Sequence, residues 1–210
     1  MKANFAKRGG FLSLVCAAAV MTASAASAQE ASIKPTLGTL GFGLEGGYKF
    51  NESFGVTGSI NGFGFHPSGT YQGTTYDGNA KLFGLGATFD YYVNGSNFRL
   101  SAGARWADPS ADLTFTKYDP SLGTNRSVLV KLSPEYEFQP YLGVGYGAKV
   151  NEKVSIDFAL GAYYMGTPQL DEYWDGPVYQ SLQNNIDNFR DKISDYKFYP
   201  VAQIGVSYRF

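Results

Sequence analysis

The sequence has one cysteine and one histidine in 210 residues, and neither sign of charge is in clear excess. Cys16 lies in an N-terminal segment that is interpreted below as a signal peptide, so the mature chain has neither a disulfide nor a thiol ligand for a metal. The formal net charge of −1 lacks the basic excess that an electrostatic nucleic-acid surface needs. We therefore predict no nucleic-acid partner, no cofactor and no metal site.

The chain also lacks, beyond its first residues, the ~20 consecutive apolar residues that a membrane-spanning helix requires. An apolar run from Phe11 to Met21 follows basic residues and precedes a stretch of small residues that ends in Ala26-Ser27-Ala28. This order is typical of a secretory signal peptide, and a lipoprotein signal at Cys16 is disfavoured because a bulky valine precedes it. We predict a signal peptide over residues 1–28, cleavage between Ala28 and Gln29, and one domain over 29–210.

Glycine and aromatic residues are abundant, with 26 Gly, 16 Tyr and 16 Phe. This composition, together with alternation of apolar and polar residues, favours β-strands. Three short connectors, at Asn51 to Ser53, Asn94 to Asn97 and Asn151 to Lys153, each separate two alternating runs and predict hairpins. The predicted strands are Leu40 to Phe50, Phe54 to Phe65, Lys81 to Val93, Phe98 to Trp106, Phe138 to Val150, Val154 to Tyr164 and a last strand from Phe198.

Long connectors alternate with these short ones, over His66 to Ala80, Ala107 to Glu137 and Met165 to Lys197. Transmembrane barrels sort their connections in this way, with short periplasmic turns and long extracellular loops. Within the loops, ADLTFTKY and RSVLVKL are predicted to extend one hairpin beyond the membrane. Apolar residues at helical spacing, from Leu182 to Tyr196, predict an amphipathic helix that lies on the barrel mouth as a lid or presents a binding surface.

The two faces of the predicted strands differ sharply. One face is apolar without charge, as in Leu142, Val144 and Tyr146, and the other combines glycine with charge, as in Gly143, Gly145 and Lys149. A soluble lipocalin-like barrel would place the apolar face inside. Glycine repeats instead suit the crowded interior of a narrow barrel, so we predict that the apolar face contacts lipid.

Aromatic residues cluster at both ends of the apolar face, which predicts two interfacial belts. One belt, beside the short turns, consists of Tyr48, Phe50, Phe54, Tyr91, Phe98, Tyr208 and Phe210, and the other consists of Trp106, Phe138, Tyr164 and Phe198. The fold class predicted is all-β: a transmembrane antiparallel up-and-down β-barrel of about eight strands. Seven strands cannot close it antiparallel, so we predict an irregular eighth strand before Leu40, in a segment that contains Pro35.

The segments GVSYRF at the C-terminus, PYLGVGYG from Pro140 and GLEGGYKFNESFGV from Gly43 resemble the small OmpA/OmpW-like outer-membrane barrels of Gram-negative bacteria. The resemblance covers nearly all of the mature chain. It implies a bacterial outer-membrane location, contact with lipid and lipopolysaccharide, and recognition by the barrel-assembly machinery. Tyr208 and Phe210 would belong to the signal that this machinery reads.

The polar face predicts a lumen charge network formed by Glu45, Lys49, Asp90, Arg99, Arg105, Lys149, Asp157 and Arg209. Paired charges would fill a narrow interior, and a gated pore is the functional alternative. His66 is a candidate base for an outer-membrane enzyme, but no partner spacing supports a triad, and we predict no catalytic residue. Asp171, Glu172 and Asp175 lack the ordered spacing of a calcium loop.

These patterns favour a non-enzymatic outer-membrane protein with a structural or narrow-pore role. A surface adhesin or binding module that uses the long loops is the alternative. An outer-membrane lipid-modifying enzyme is the least favoured hypothesis.

Overall fold

A computed structural model describes residues 30–71, 74–119, 123–176 and 180–210. The predicted signal peptide and its cleavage site, including Gln29, lie outside the described residues. The elements are β1 (Glu30–Gly38), β2 (Gly41–Lys49), β3 (Phe54–Phe65), β4 (Ser68–Tyr71), β5 (Thr74–Tyr92), β6 (Phe98–Ala107), β7 (Ser110–Asp119), β8 (Thr124–Ser133), β9 (Phe138–Lys149), β10 (Val154–Tyr164), β11 (Gln169–Trp174), α1 (Gln180–Ile193) and β12 (Phe198–Arg209).

Eight of these strands form a closed antiparallel ring in the order β1–β2–β3–β5–β6–β9–β10–β12. The ring closes where β1 pairs with β12 and places Ser32 opposite Arg209. Closure leaves no open edge in the ring, which is the condition that a sheet must meet in lipid. The predicted transmembrane barrel fold is therefore confirmed, and β12 completes the ring.

Strand β1 is the eighth strand that antiparallel closure requires, and its proline makes it irregular. Along β2 the pairing of β1 is continuous, with Pro35 opposite Leu44. Along β12, Ser32, Ile33 and Thr36 have paired positions, but Lys34 and Pro35, which lie between Ile33 and Thr36, have none. Pro35 has no N–H to donate, so the ladder on that side is interrupted there.

The connections at one end of the ring are short turns, and asparagine side chains stabilise two of them. Asn51 Oδ1 accepts hydrogen bonds from the backbone N–H groups of Ser53 and Phe54, at 2.8 and 2.9 Å. Asn151 Oδ1 bonds to the N–H groups of Lys153 and Val154 in the same way. Asparagine side chains stabilise tight turns by bonding to the backbone two or three residues ahead. These turns, with the turn at Asn94, define the short-turn end, where the chain also terminates.

The outer face of the ring is apolar and the inner face is polar, the reverse of a water-soluble barrel. The outward side chains of Leu142 and Leu160 are 71% and 60% exposed, whereas the inward side chains of Asp90 and Arg105 are 2% and 4% exposed. Such a surface is typical of a barrel immersed in lipid. The lipocalin-like alternative is therefore excluded.

At the opposite end, the loop end, the same twelve-stranded sheet continues beyond the ring. β5 pairs with β3 and β6 in the ring, but its first residues pair with β4 and β7. β8 adds to β7 and β11 adds to β8, so β4, the start of β5, β7, β8 and β11 form the loop sheet. The two predicted loop segments are its strands β7 and β8, while β4 and β11 were not predicted.

Helix α1 packs on the loop sheet. Ile186 is buried against Val128 and Val130 of β8, and Phe115, Leu170 and Trp174 pack around them. The predicted helix is confirmed with bounds shifted toward the N-terminus, and these contacts place it on the loop sheet. Its role as a lid or a binding surface stays a prediction. Among the described residues, no helix is both long enough and apolar enough to cross a bilayer.

Candidate functional site: the barrel lumen

Four charged residues meet across the middle of the lumen and form what we call the central cluster: Lys34, Glu45, Arg99 and Asp157. Lys34 Nζ lies 2.7 Å from Glu45 Oε2 and 3.1 Å from Asp157 Oδ1. Arg99 Nη1 lies 2.5 Å from the same Asp157 oxygen. The four side chains are only 10–13% exposed. Buried charges are stabilised when they are paired in this way.

Asp90 lies beside the central cluster and is stabilised by hydrogen bonds from hydroxyl groups. Its carboxylate accepts hydrogen bonds from Thr57 Oγ1 at 2.6 Å, Ser101 Oγ at 2.5 Å and Thr88 Oγ1 at 3.4 Å. Three donors from three neighbouring strands replace the water that the buried carboxylate has lost. The interaction also fixes β3, β5 and β6 relative to one another.

Glycine residues on neighbouring strands leave room for the side chains of the central cluster. Gly145 of β9 lies directly beside Arg99 in the strand register. A Cβ built at Gly145 would lie 2.6 Å from Arg99 Cζ, closer than real Cβ contacts occur. The guanidinium therefore crosses the backbone of β9 at a residue that has no side chain. This explains why glycine alternates with charge on the lumen face.

Toward the loop end, four apolar and aromatic side chains fill the lumen and form the aromatic plug: Leu40, Tyr141, Tyr163 and Val201. All four are at most 8% exposed, and Tyr199 packs against them. The rings of Tyr141 and Tyr163 are 4.7 Å apart. Leu40 comes from the tight turn between β1 and β2, so this turn folds inward over the lumen. The plug closes the barrel above the central cluster.

Arg105 lies next to the plug and is held without a close ion pair in the described part of the chain. Its Nε donates to Gln139 Oε1 at 2.8 Å, and its guanidinium lies 4.1 Å from the ring centre of Tyr163. Gln139, which is fully buried, donates in turn to the Tyr136 carbonyl oxygen at 3.0 Å. An aromatic face stabilises a cation electrostatically, so the plug and Arg105 support each other.

Below the central cluster, the lumen opens toward the short turns as the mouth cavity, about 80 Å³ in volume. Lys49, Lys149 and Arg209 line it with Glu30. Arg209 Nη1 lies 3.6 Å from Glu30 Oε2, and Lys49 Nζ lies 4.0 Å from the centre of the Tyr92 ring. A second cavity of about 40 Å³ lies between the central cluster and the plug.

The structure places all eight residues of the predicted network on the lumen side. It brings Glu45, Arg99 and Asp157 together with Asp90 beside them, and it places Arg105 above and Lys49, Lys149 and Arg209 at the mouth. Sequence reasoning missed Glu30 and Lys34. Their signal was present, because Glu30, Ser32, Lys34 and Thr36 alternate with apolar residues.

The predicted aromatic belt residues lie on the outer face at the two ends of the ring. Beside the short turns, Phe54 packs on Tyr91, Tyr48 on Phe50 and Tyr208 on Phe210, with ring centres 5.2–5.5 Å apart. At the loop end, Tyr164 packs on Phe198 at 5.4 Å, and Trp106 Nε1 donates to Glu137 Oε2 at 2.9 Å. Phe98 and Phe138, which are 39% and 68% exposed, complete the two groups. Their contact with lipid remains a prediction.

His66 and the loop carboxylates are not assembled into a catalytic or metal site among the described residues. His66 is exposed between β3 and β4, and no described hydrogen bond or ion pair joins it to a serine or carboxylate. Glu172 faces α1 and pairs with Arg190, whereas Asp171 lies on the opposite face of β11. No group of three potential metal ligands occurs in the described ranges.

The chain is similar in structure to CarO2 of Acinetobacter baumannii, with a TM-score of 0.65 and 21% identity over 87% of this chain and 99% of that one. It aligns with CarO of the same organism at a TM-score of 0.64 and 23% identity, over 86% and 97% of the two chains. The fold is that of an outer-membrane β-barrel.

A major outer membrane protein of Thermus thermophilus aligns at a TM-score of 0.48 and 14% identity, over 88% of this chain and 100% of that one. No protein-family model and no curated protein matches the chain. The OmpA/OmpW-like resemblance therefore stays a prediction, and identities of this size indicate the fold alone.

Proposed function

We propose that this chain is a non-enzymatic bacterial outer-membrane protein, with a sealed barrel in a structural role. The short-turn end faces the periplasm and the loop end faces the exterior, as in barrels of this architecture. The observation that carries the proposal is the double closure of the lumen. The Lys34–Asp157–Arg99 ion pairs span its middle, and the Leu40–Tyr141–Tyr163–Val201 plug fills it above.

Two interior layers with different chemistry make accidental opening difficult. If the ion pairs separated, unpaired charges would remain on side chains that are only 10–13% exposed. Opening of the plug would expose packed tyrosine rings to water. An eight-stranded barrel is only just wide enough for its own side chains, so both layers must move before ions pass.

The proposal is tested by single-channel recording in a planar lipid bilayer, with the refolded mature chain and a variant that lacks residues 166–195. We expect silence from both proteins, because the closures lie within the ring and not in the deleted segment. Discrete openings in the intact protein would overturn the sealed-barrel proposal in favour of a narrow pore. Openings only in the deletion variant would show that the last loop is a lid.

The outer surface supports a second part of the proposal, that lipid and lipopolysaccharide surround the ring. Exposed aliphatic side chains such as Leu142 and Leu160 lie between two groups of aromatic rings. Tyr208 and Phe210 end the closing strand, as expected for a signal read by the barrel-assembly machinery. Phe210→Ala should lower the amount of folded protein in the outer membrane of cells while leaving refolding of the purified chain unchanged.

A surface-binding role of the loop end is the second candidate function. It is favoured by the packed core beneath α1, where Val128, Val130 and Ile186 are at most 6% exposed. A loop with such a core holds its outer surface in one conformation, which is suited to recognition. Loss of attachment to host cells or surfaces on deletion of residues 166–195, with envelope integrity unchanged, would establish this role.

A further inference from the structure

The mouth cavity has an excess of cationic side chains. Lys49 and Lys149 line it with Arg209, and Glu30 is the carboxylate at the same level. Glu30 is itself 43% exposed and its 3.6 Å contact with Arg209 is long for an ion pair. The deeper carboxylates, Glu45 and Asp157, are already bound by Lys34 and Arg99. Positive charge at the mouth is therefore only partly compensated.

The cavity is built by every strand of the ring. One side chain or glycine from each of the eight strands lines it, and its volume is about 80 Å³. A buried water needs a cavity of about 10–15 Å³, so the space suits several waters or one compact oxyanion. Two glycines leave this space open: a Cβ at Gly47 would lie 2.7 Å from Ser32 Oγ, and one at Gly147 would lie 3.1 Å from Asp157 Oδ2.

Unused hydrogen-bond donors face the same region. Arg209 Nε is buried and has no hydrogen-bond partner among the described residues. Ser155 and Ser207, which lie opposite each other on β10 and β12, also line the cavity and are at most 8% exposed. A buried donor without an acceptor is uncommon in folded proteins and calls for a partner such as an ion.

We propose that the mouth cavity is a binding site for one compact oxyanion of the phosphate type. Lys49, Lys149 and Arg209 supply the positive charge, and Arg209 Nε with the serine hydroxyls supplies directed hydrogen bonds. The ion enters from the short-turn end and stops at the central cluster, whose paired side chains fill the middle of the lumen. Binding at this site needs no open pore, so it stands apart from the sealed-barrel proposal.

The test is a titration of the isotopically labelled mature chain with inorganic phosphate, in a maltoside detergent that contains no phosphate. Ionic strength is held constant with sodium chloride, and NMR follows the Arg209 Nε–H and the Ser155 and Ser207 amides. We expect saturable shifts at these groups. Lys49→Gln should weaken binding about tenfold, as for a charged hydrogen bond, and the more exposed Lys149→Gln about threefold.

Lys153→Gln is the matched control, because Lys153 is exposed in the β9–β10 turn at the same end but does not line the cavity. Equal weakening by Lys153→Gln, shifts that do not saturate, or equal shifts with chloride alone would overturn the proposal. Titration with glycerol phosphate distinguishes the sources of the ion. Tighter binding of glycerol phosphate than of inorganic phosphate would identify a lipid headgroup, and weaker binding a free ion.

Discussion

Arg99 reaches from β6 across Gly145 of β9 to Asp157 of β10, where the ion pair closes at 2.5 Å. Lys34 reaches the same carboxylate from β1 across β12, past Gly205, which lies opposite Asp157. Each long side chain thus crosses one intervening strand at a glycine. The glycine repeats and the lumen charges therefore form one arrangement. Because glycine has no side chain, the charged side chains have room to reach each other across the intervening strand.

Gly145→Ala is expected to disturb this arrangement, because the alanine Cβ would lie 2.6 Å from Arg99 Cζ. Arg99 would have to leave Asp157 or the strand would have to shift. Overpacking of this kind lowers stability by about 1–3 kcal/mol. Denaturant unfolding in lipid vesicles, followed by tryptophan fluorescence, gives the free energy. Gly58→Ala is the control, since a Cβ there meets nothing within 4 Å; equal effects of the two substitutions would refute the spacing argument.

The Lys34–Glu45 pair is expected to be strongly coupled. The two residues lie directly opposite each other on β1 and β2, and their side chains are only 12% and 13% exposed. Removal of Lys34 leaves Glu45 buried and unpaired, which costs about 3 kcal/mol, whereas removal of Glu45 leaves Lys34 paired with Asp157 and should cost less. Lys34→Gln and Glu45→Gln should therefore each destabilise the barrel, and the double variant should lose less than their sum. Additive losses in this double-mutant cycle would show that the pair is not coupled.

The ring itself was predictable, because period-two alternation and short asparagine turns fix strand number, direction and face. The apolar residues at Leu142 and Val144 and the glycines between them already separate lipid side from lumen side. β1 was predicted only as an irregular strand required by closure, since Pro35 interrupts the usual signal. Its lumen residues, Glu30 and Lys34, were therefore missed, although they hold the central cluster and the mouth together.

The aromatic plug could not be predicted in the same way. Tyr141, Tyr163 and Tyr199 share the parity of the lumen residues, but tyrosine fits a lipid interface as well as an interior. Leu40 lies at a turn, and its inward position depends on how the turn folds over the ring. The surface that covers α1 could not be predicted for a related reason: an apolar stripe shows that a helix is covered, but one of the covering strands, β8, lies distant in sequence.

Ile186 is expected to anchor α1 to the loop sheet. It is 6% exposed and contacts the buried Val128 and Val130. Ile186→Ala removes this packing, a change that costs about 2–5 kcal/mol in a core. The helix should then open locally, and trypsin should cleave faster after Arg190 and Lys192 while the ring remains folded. Phe189→Ala, at a side chain that is 44% exposed, should leave cleavage unchanged. Equal acceleration by both would place the anchor elsewhere.

Glu135 links two segments at the loop end, outside the ring, and makes this link dependent on pH. Its Oε2 accepts a hydrogen bond from the Thr167 backbone N–H at 2.8 Å. This bond, together with one from the Tyr136 side chain, favours the carboxylate and lowers the pKa of Glu135 below its usual value. A pKa lowered on folding means that the stabilisation is present above the unfolded pKa, about 4.3, and is lost as pH falls through the folded pKa.

The Thr167 amide should report this transition directly. Its NMR shift is expected to titrate with a midpoint below the ordinary glutamate range, and its hydrogen exchange, corrected for pH, should accelerate below that midpoint. Glu135→Gln keeps an acceptor but cannot ionise, so the titration should disappear while the bond persists at neutral pH. A midpoint at or above about 4.3 in the unmodified protein would contradict the assignment, because the Thr167 bond would then not favour the charged form. The connection between β10 and β11 is thus expected to loosen in acid while the ring stays closed.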